Sequence, residues 1–284
     1  MKIALLSQSA SSYFHERIIQ AAKMRNHSVQ VLRLPYCYMN ISATTPKVYH
    51  RDASVEGVDL IVPRIEAAHI LYGASVLRQF EMMGVKLLNS PIAILWSRDK
   101  LRVYQWLSRK KVPLPVTGFA DSPQETEKLV NLVGGAPLVV KLLEGTEGRG
   151  TIFAETHQAA VSVINAFKQL KTHILVQEYV KASMGRDIRC LVIANKVVAA
   201  IQRSTKEAEC CPIKITAEER KMAVHATAAL KLNMASVDLI RSERGPLFLD
   251  INANPDLELI EKVTHQDMAN RIITCLEEML DEGK

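Results

Sequence analysis

The first third of the chain alternates short apolar runs with segments of helical spacing. Apolar runs at Lys2–Leu6, Val29–Leu32 and Leu60–Pro63 predict buried strands, and the spacing at His15–Arg25 and Tyr72–Met83 predicts helices. Strands that alternate with helices in this way indicate a parallel α/β sheet. No Gly-x-Gly-x-x-Gly follows the first strand, so the sequence gives no support for dinucleotide binding.

The middle of the chain predicts a smaller unit that begins with one helix over Ser97–Lys110 and a break at Pro113 and Pro115. A β-turn-β-α-β pattern follows it. Its parts are a strand at Leu138–Leu143, a glycine-rich turn, a strand at Thr151–Ala154, a helix at about 157–170 and a strand at Ile174–Gln177.

The last third predicts a sheet that ends in a hairpin. Strands are expected at 187–193 and 196–202, and a capping box at Thr216 opens a helix that extends to about Leu232. The hairpin pairs Ser236–Arg241 with Leu247–Asn252. With 284 residues the chain is longer than one core needs, so we expect two or three lobes. We place the limits of the predicted domains at 1–96, 97–178 and 179–284.

Composition places the chain among soluble globular proteins, with 48% hydrophobic and 23% charged residues. No apolar run reaches the ~20 residues of a membrane span, so we expect a cytoplasmic protein that does not bind membranes. The five cysteines show no Cys-x-x-Cys spacing, which favours reduced thiols. The net charge of +6 is scattered, with Arg109–Lys111 as a short run, and it suits acidic small-molecule substrates at least as well as nucleic acid.

The predicted hairpin carries the strongest chemical signal. Because side chains alternate along a strand, Asp250 and Asn252 share one face, and Asp238 on the preceding strand can join them. Three oxygen-bearing side chains of this kind are the hard ligands that Mg²⁺ prefers, with phosphate and water completing the shell. The alternative is a hairpin with one solvated polar face.

A glycine-rich loop follows the strand that carries Lys141. Gly145, Gly148 and Gly150 fall within six residues, so backbone amides there can approach phosphates, and Lys141 can supply a point charge. The spacing differs from a Walker loop, and a strand rather than a helix follows. A plain glycine-rich turn is the alternative.

The strand Ile174–Gln177 ends in Glu178, at the predicted boundary between lobes. A strand end of this kind can present its backbone and a carboxylate to a purine and ribose. Asp187 and Arg189 then alternate onto one face of the next strand. Solvated strand ends and surface ion pairs are the alternatives.

Taken in order, several short segments resemble the RimK-type glutamate ligases of the ATP-grasp superfamily over essentially the whole chain. The segments are Tyr36-Cys-Tyr-Met-Asn-Ile41, Pro63-Arg-Ile65, Leu77-Arg-Gln-Phe-Glu81, Arg98-Asp-Lys-Leu101, Gly134-Gly-Ala-Pro-Leu-Val-Val-Lys141, Glu144-Gly-Thr146, Val176-Gln-Glu-Tyr179, Asp187-Ile-Arg-Cys-Leu-Val192 and Asp250-Ile-Asn252.

The resemblance implies an ATP-grasp fold of the α/β class, with an N-terminal Rossmann-like parallel α/β domain and ATP held between two α+β lobes. It implies ATP as co-substrate and Mg²⁺ or Mn²⁺ as the metal. The residues that match nucleotide contacts are Lys100, Lys141, Glu178, Tyr179 and Asp187, and those that match metal ligands are Asp238, Asp250 and Asn252.

The implied reaction activates a carboxylate as an acyl phosphate, which an amino group then attacks. The implied partners are glutamate and an acceptor carboxylate on a protein or peptide, which in the type member is the C-terminus of a ribosomal small-subunit protein. Close relatives use amino-acid carrier proteins or make free glutamate chains, and the sequence does not choose among these acceptors. We also expect a homo-oligomer.

Three positions depart from the family pattern. Asp250 stands where the family usually has Glu, which shortens the reach to a metal. Asp256 stands where the family has glycine, which adds negative charge and removes a residue free to take positive φ. The segment 204–215 is shorter than the family's loop, and the arginines of that loop have no match.

The shortened loop leaves two functional classes open: an active carboxylate–amine ligase, or a nucleotide-binding paralogue with little ligase activity that acts as a regulator or partner. A third class, a nucleic-acid-binding module, is supported only by the net charge. Removing a preorganised donor costs about 10²–10³ in rate, so turnover is more at risk than nucleotide binding. Arg203 and Arg189 are candidate catalytic residues that could replace the missing arginines of the loop, and Arg149 in the glycine-rich loop is a further candidate.

Overall fold

The computed structural model describes residues 1–120, 125–143, 150–183, 185–204 and 210–281. Gly145, Gly148 and Arg149 of the glycine-rich loop and residues 205–209 of the shortened segment 204–215 lie outside these ranges.

The first part of the chain forms a parallel sheet with strand order β2-β1-β6-β7 and a separate three-stranded antiparallel sheet β3-β4-β5. The strands are β1 (Lys2–Ser7), β2 (Ser28–Arg33), β3 (Cys37–Asn40), β4 (Lys47–His50), β5 (Ala53–Ser54), β6 (Leu60–Arg64) and β7 (Lys86–Leu87). The helices are α1 (Tyr13–Met24), α2 (Ile70–Met82) and α3 (Pro91–Arg98). The predicted parallel α/β pattern is confirmed, whereas the sheet β3-β4-β5 was not predicted.

The middle part forms a four-stranded sheet of order β10-β9-β11-β8. Its elements are α4 (Lys100–Arg109), β8 (Thr117–Gly118), α5 (Thr126–Leu132), β9 (Leu138–Leu142), β10 (Thr151–Ala154), α6 (His157–Gln169) and β11 (Ile174–Glu178). This sheet has its own core, in which Val130, Val140, Ile164 and Val176 are all buried.

The last part forms an antiparallel sheet of order β14-β13-β12-β15-β16. Its elements are β12 (Arg186–Ile193), β13 (Lys196–Ser204), β14 (Cys210–Pro212), α7 (Ala217–Ala229), β15 (Met234–Ser242), β16 (Gly245–Asn252), α8 (Leu257–Thr264) and α9 (Met268–Asp281). The predicted hairpin is β15-β16, and the capping box at Thr216 opens α7, which ends three residues before the predicted Leu232.

The first and last sheets share their hydrophobic cores. Leu5 of β1 packs in one cluster with Leu191 of β12 and Ile272 of α9. On the other side Phe80 of α2 packs in one cluster with Phe248 of β16. The polar strand ends of the first sheet are therefore held against the hairpin that carries the predicted metal ligands.

The helix predicted from about Ser97 to Lys110 is α4, which begins at Lys100 because the chain breaks at Asp99, after the separate helix α3. The backbone of Asp99 is extended, with ψ 91°, and its side chain accepts a hydrogen bond from the Arg102 N–H. Asp99 thus ends α3 and caps the start of α4, as capping carboxylates do. Ser90 caps α3 in the same way, through the Ala93 N–H.

Within the described ranges, no helix combines the length and the apolar character needed to cross a bilayer. No disulfide joins the five cysteines.

Candidate active site

One face of the last sheet collects charged side chains from four neighbouring strands. Strand register places Asp238 opposite Asp250 on β16 and opposite Arg189 on β12. Asp187 lies opposite Arg203 on β13. Because residues that are paired across a sheet point to the same side, these five side chains share one face.

Asp238 is bound by two arginines. Arg189 donates from Nε to Oδ1 and from Nη2 to Oδ2, both at 2.8 Å, and Arg203 donates from Nη2 to Oδ2, also at 2.8 Å. The carboxylate is only 11% exposed. Burial alone would raise the pKa of Asp238, but Arg189 and Arg203 hold that pKa below its usual range. Arginine donors thus occupy three of the roughly four lone-pair sites of this carboxylate, and a metal would compete with them for Asp238.

Arg203 bridges two carboxylates. It donates from Nε and Nη2 to the two oxygens of Asp187, each at 2.8 Å, in addition to its bond to Asp238. Burial raises the pKa of the Asp187 carboxyl, and the Arg203 guanidinium opposes that rise. Both predicted catalytic arginines, Arg189 and Arg203, are thus engaged in ion pairs in this arrangement.

Asp250 has a different environment, with lysines instead of arginines. Its Oδ1 accepts a hydrogen bond from the Ile251 N–H at 2.9 Å. Burial raises the pKa of Asp250, Lys100 and Lys141 act to lower it, and Asp238 acts to raise it. The fold therefore brings the two predicted nucleotide lysines, from α4 and β9, to the carboxylate of the hairpin.

Asn252 is held in a local turn at the end of β16. Its Oδ1 accepts from the Asn254 N–H at 2.9 Å, and its Nδ2 donates to the Asn254 carbonyl at 3.2 Å. Asp256, two residues further on, caps α8 through the Leu259 N–H and has a φ of −76°. The loss of a residue free to take positive φ therefore has no consequence for the backbone at this position.

The residues of this face fit a magnesium ion. In the described part of the chain no group of three or more His, Cys, Asp and Glu side chains is placed to hold a metal. The face instead offers the carboxylates of Asp238 and Asp250 and the amide of Asn252. The Ser236 hydroxyl, opposite Asn252 in the register, is buried without a hydrogen-bond partner. An oxygen-only set with few protein ligands is how proteins hold Mg²⁺ alongside phosphates and water.

Tyr104 links α4 to three strands, and sequence reasoning missed it. Its hydroxyl donates to the Leu249 carbonyl at 2.6 Å. It accepts from Lys141 Nζ at 3.3 Å and from Gln177 Nε2 at 3.0 Å. Tyr104 therefore fixes the position of Lys141 relative to β16. The only signal in the sequence was an aromatic residue four positions after Lys100, on a helix face that also packs in the core.

Glu178 is the last residue of β11 in the middle sheet. Its Oε1 accepts from the Val116 N–H at 2.8 Å and forms an ion pair with Arg244 of the β15-β16 turn. Tyr179 beside it packs against Phe153 of β10, with ring centroids 4.7 Å apart. The Glu178 carboxylate thus holds the middle and last sheets together, and its role toward a purine stays a prediction.

The chain has clear relatives over its whole length. Models of the RimK PreATP-grasp domain and of the RimK-like ATP-grasp domain match residues 1–94 and 97–276. A protein named probable alpha-L-glutamate ligase from Nitrosococcus oceani is 47% identical over 294 positions, covering 100% of this chain and 98% of that protein. A protein of the same name from Pectobacterium carotovorum is 49% identical, covering 98% and 95%.

Solved structures share the fold at low sequence identity. The ATP-grasp ligase PsnB, complexed with a minimal precursor, Mg and ADP, superposes with a TM-score of 0.79 at 17% identity, covering 98% of each chain. A RimK domain ATP-grasp protein from Sphaerobacter thermophilus gives 0.74 at 19% identity, covering 96% of this chain and 98% of that one. With matches of this extent, the chain belongs to the RimK-like ATP-grasp family of ligases.

Proposed function

We propose that this protein is an ATP- and Mg²⁺-dependent carboxylate–amine ligase that adds glutamate to a C-terminal carboxylate of a protein or peptide. The observation that carries the proposal is the position of Asp250. This half-buried carboxylate lies on the same face as Asp238, and Lys100 and Lys141, which come from outside the last sheet, act to lower its pKa. Carboxylates for a cation beside lysines for phosphates form the charge arrangement that phosphoryl transfer requires.

In the proposed reaction a carboxylate oxygen attacks the γ-phosphorus of ATP, the bond to the bridging oxygen breaks and ADP leaves. The glutamate amine then attacks the acyl carbon, phosphate leaves with its electron pair, and the nitrogen loses a proton to water. Bound Mg²⁺ would neutralise charge on the phosphate oxygens. Asp238, Asp250 and Asn252 would hold it, while Lys100 and Lys141 bind phosphate oxygens.

The proposed substrate class is supported by the names of the relatives and by the net charge of the chain. Curated relatives at nearly half identity are named probable alpha-L-glutamate ligases, and PsnB was solved with a peptide precursor. Glutamate and a carboxylate acceptor are both anionic, which suits a chain of net charge +6. A ribosomal small-subunit protein is the first acceptor to try.

A second candidate function is a nucleotide-binding paralogue with weak ligase activity. It is favoured by the shortened segment 204–215 together with the ion pairs of Arg189 and Arg203, which occupy the arginines proposed to replace those of the loop. The Nitrosococcus relative aligns over 294 positions to this 284-residue chain, which supports a deletion in this chain.

Single-turnover assays with and without loop restoration decide between the two candidates. We expect the native chain to bind Mg-ATP and to ligate glutamate slowly. Inserting a full-length loop with its arginines into 204–215 should raise the rate at least about tenfold, because donors at developing charge act in the transition state. Rapid multiple turnover by the native chain, unchanged by the insertion, would contradict this account of the loop.

A further inference from the structure

Arg98 lies beside the metal face, on the side of the first sheet. It is the last residue of α3, and its Nη2 donates to the Ile65 carbonyl at 3.4 Å, just beyond the end of β6. The same carbonyl accepts from the side-chain amide of Asn254, and the Asn254 N–H binds Oδ1 of Asn252. Three hydrogen bonds, through Ile65 and Asn254, thus connect the Arg98 guanidinium to a predicted metal ligand, Asn252.

The hydrogen-bonding capacity of Arg98 is almost unused. Among the residues that the structure describes, its Nε is buried without a partner, and its one hydrogen bond is long. No carboxylate of the described residues lies within ion-pair distance of Arg98, whereas Arg17 and Arg241 each bind a buried glutamate. A guanidinium has five donors, and an unsatisfied buried donor costs about 1–3 kcal/mol. Such a group is expected where a ligand supplies the missing acceptor.

The surroundings of Arg98 define the ligand chemistry. Arg64, at the end of β6, donates to the Pro255 carbonyl at 3.0 Å, so a second arginine borders the same turn after β16. Ligands of open α/β sheets bind at the carboxyl ends of the strands, which is where β6 ends. Guanidinium groups bind carboxylates with parallel hydrogen bonds.

We propose that Arg98 binds a carboxylate group of a co-substrate, next to the Asn252 end of the metal face. The inference rests on the proposed ligase function and adds to it a binding residue for one of the two anionic co-substrates. Glutamate and the acceptor both carry carboxylates, so the test includes a probe for each. In this proposal Arg98 contacts the carboxylate co-substrate, whereas Lys100 and Lys141 bind the nucleotide.

The test compares Arg98→Met with Arg102→Met by calorimetry. Arg102 is exposed on α4 and paired with Asp99, so its variant removes the same charge away from the cleft. The probes are glutamate and N-acetylglutamate, which has carboxylates but no amine, each titrated into protein saturated with Mg²⁺ and a non-hydrolysable ATP analogue. Arg98→Lys is the conservative variant, because lysine keeps the positive charge but cannot form the two parallel hydrogen bonds of a guanidinium group.

We expect Arg98→Met to weaken one of the two probes by about tenfold or more, the usual size of a hydrogen bond to a charged group. The probe whose affinity falls identifies the co-substrate that Arg98 binds, glutamate or the acceptor. The affinity of Arg98→Met for the ATP analogue should equal that of the native chain. For the carboxylate probe, the affinity of Arg98→Lys should lie between those of Arg98→Met and the native chain, and the affinity of Arg102→Met should equal that of the native chain. Because Arg98 has so few contacts, the melting temperature of unliganded Arg98→Met should not fall.

Unchanged affinity of Arg98→Met for both probes would overturn the inference, as would a native chain that binds the ATP analogue but neither probe. A lowered melting temperature with parallel loss of nucleotide affinity would assign Arg98 a structural role instead. A native chain that binds no nucleotide would refute the proposed function itself, and the inference with it.

Discussion

Replacing Arg203 by glutamine should strengthen metal binding in the absence of nucleotide. Both oxygens of Asp238 accept hydrogen bonds from arginines, and one of the three bonds comes from Arg203. A metal ion that uses Asp238 competes with these bonds and must also approach two positive guanidinium groups. Removing Arg203 removes one of the three bonds and one of the two positive charges.

The size of the effect follows from the bond that is lost. A hydrogen bond between charged groups contributes about 1.5–3 kcal/mol, which corresponds to roughly tenfold to more than a hundredfold in affinity. We therefore expect Arg203→Gln to bind Mn²⁺ at least about tenfold more tightly than the native chain without ATP. With ATP present we expect the sign to reverse, because a metal bound to Asp238 would release Arg203 from that carboxylate and let its guanidinium donate to phosphate oxygens.

The assay is a Mn²⁺ titration followed by electron paramagnetic resonance, with and without a non-hydrolysable ATP analogue. Arg241→Gln is the matched control, because Arg241 also forms a two-bond ion pair, with Glu219, at the far end of β15. The control should leave Mn²⁺ affinity unchanged. Equal Mn²⁺ affinity of Arg203→Gln and the native chain without nucleotide would refute the claim that the arginines occlude this site.

Three further predictions test other parts of the structure. Lys141→Ala should weaken binding of Mg-ATP markedly, and unchanged affinity by calorimetry would exclude this lysine from the phosphate site. Tyr104→Phe should cost about 1–3 kcal/mol in the free energy of unfolding measured in urea, because the Leu249 carbonyl loses its partner, and it should also weaken nucleotide binding by freeing Lys141. Glu261 is buried and accepts from Arg17, and although burial alone would raise its pKa, Arg17 and other donors hold that pKa below its usual range. The Glu261 carboxylate therefore contributes fully to the free energy of unfolding above its unfolded pKa of about 4.3, and this contribution is lost as the pH falls through the folded pKa. The difference in free energy of unfolding between the native chain and Glu261→Gln should accordingly shrink in acid.

Much of the fold could be predicted because it depends on local pattern. Period-two alternation placed Asp238, Asp250 and Asn252 on the final hairpin, and the capping box at Thr216 marked the start of α7. The break at Asp99 was missed because apolar spacing continues across it. Only the capping role of its side chain ends one helix and begins the next.

The pairing within the site could not be predicted from the same pattern. Arg189, Arg203 and Asp238 stand on three strands, and their contacts depend on the order β13-β12-β15, which alternation does not specify. The role of Tyr104 likewise depends on elements distant in sequence, because its hydroxyl meets groups from β9, β11 and β16. A sequence shows which side chains share a strand face, but tertiary packing decides which of them meet.

The most direct test of the account is to identify the products of ATP in a single turnover. Native chain in excess over ATP would be mixed with Mg²⁺, glutamate and a peptide with a C-terminal carboxylate, and the nucleotide, phosphate and peptide products would be separated. The account predicts ADP and inorganic phosphate, released slowly and only with the metal and a carboxylate present, and a peptide one glutamate residue heavier. AMP and pyrophosphate as products would contradict the acyl-phosphate route, and failure of the chain to bind Mg-ATP at all would contradict the proposed function.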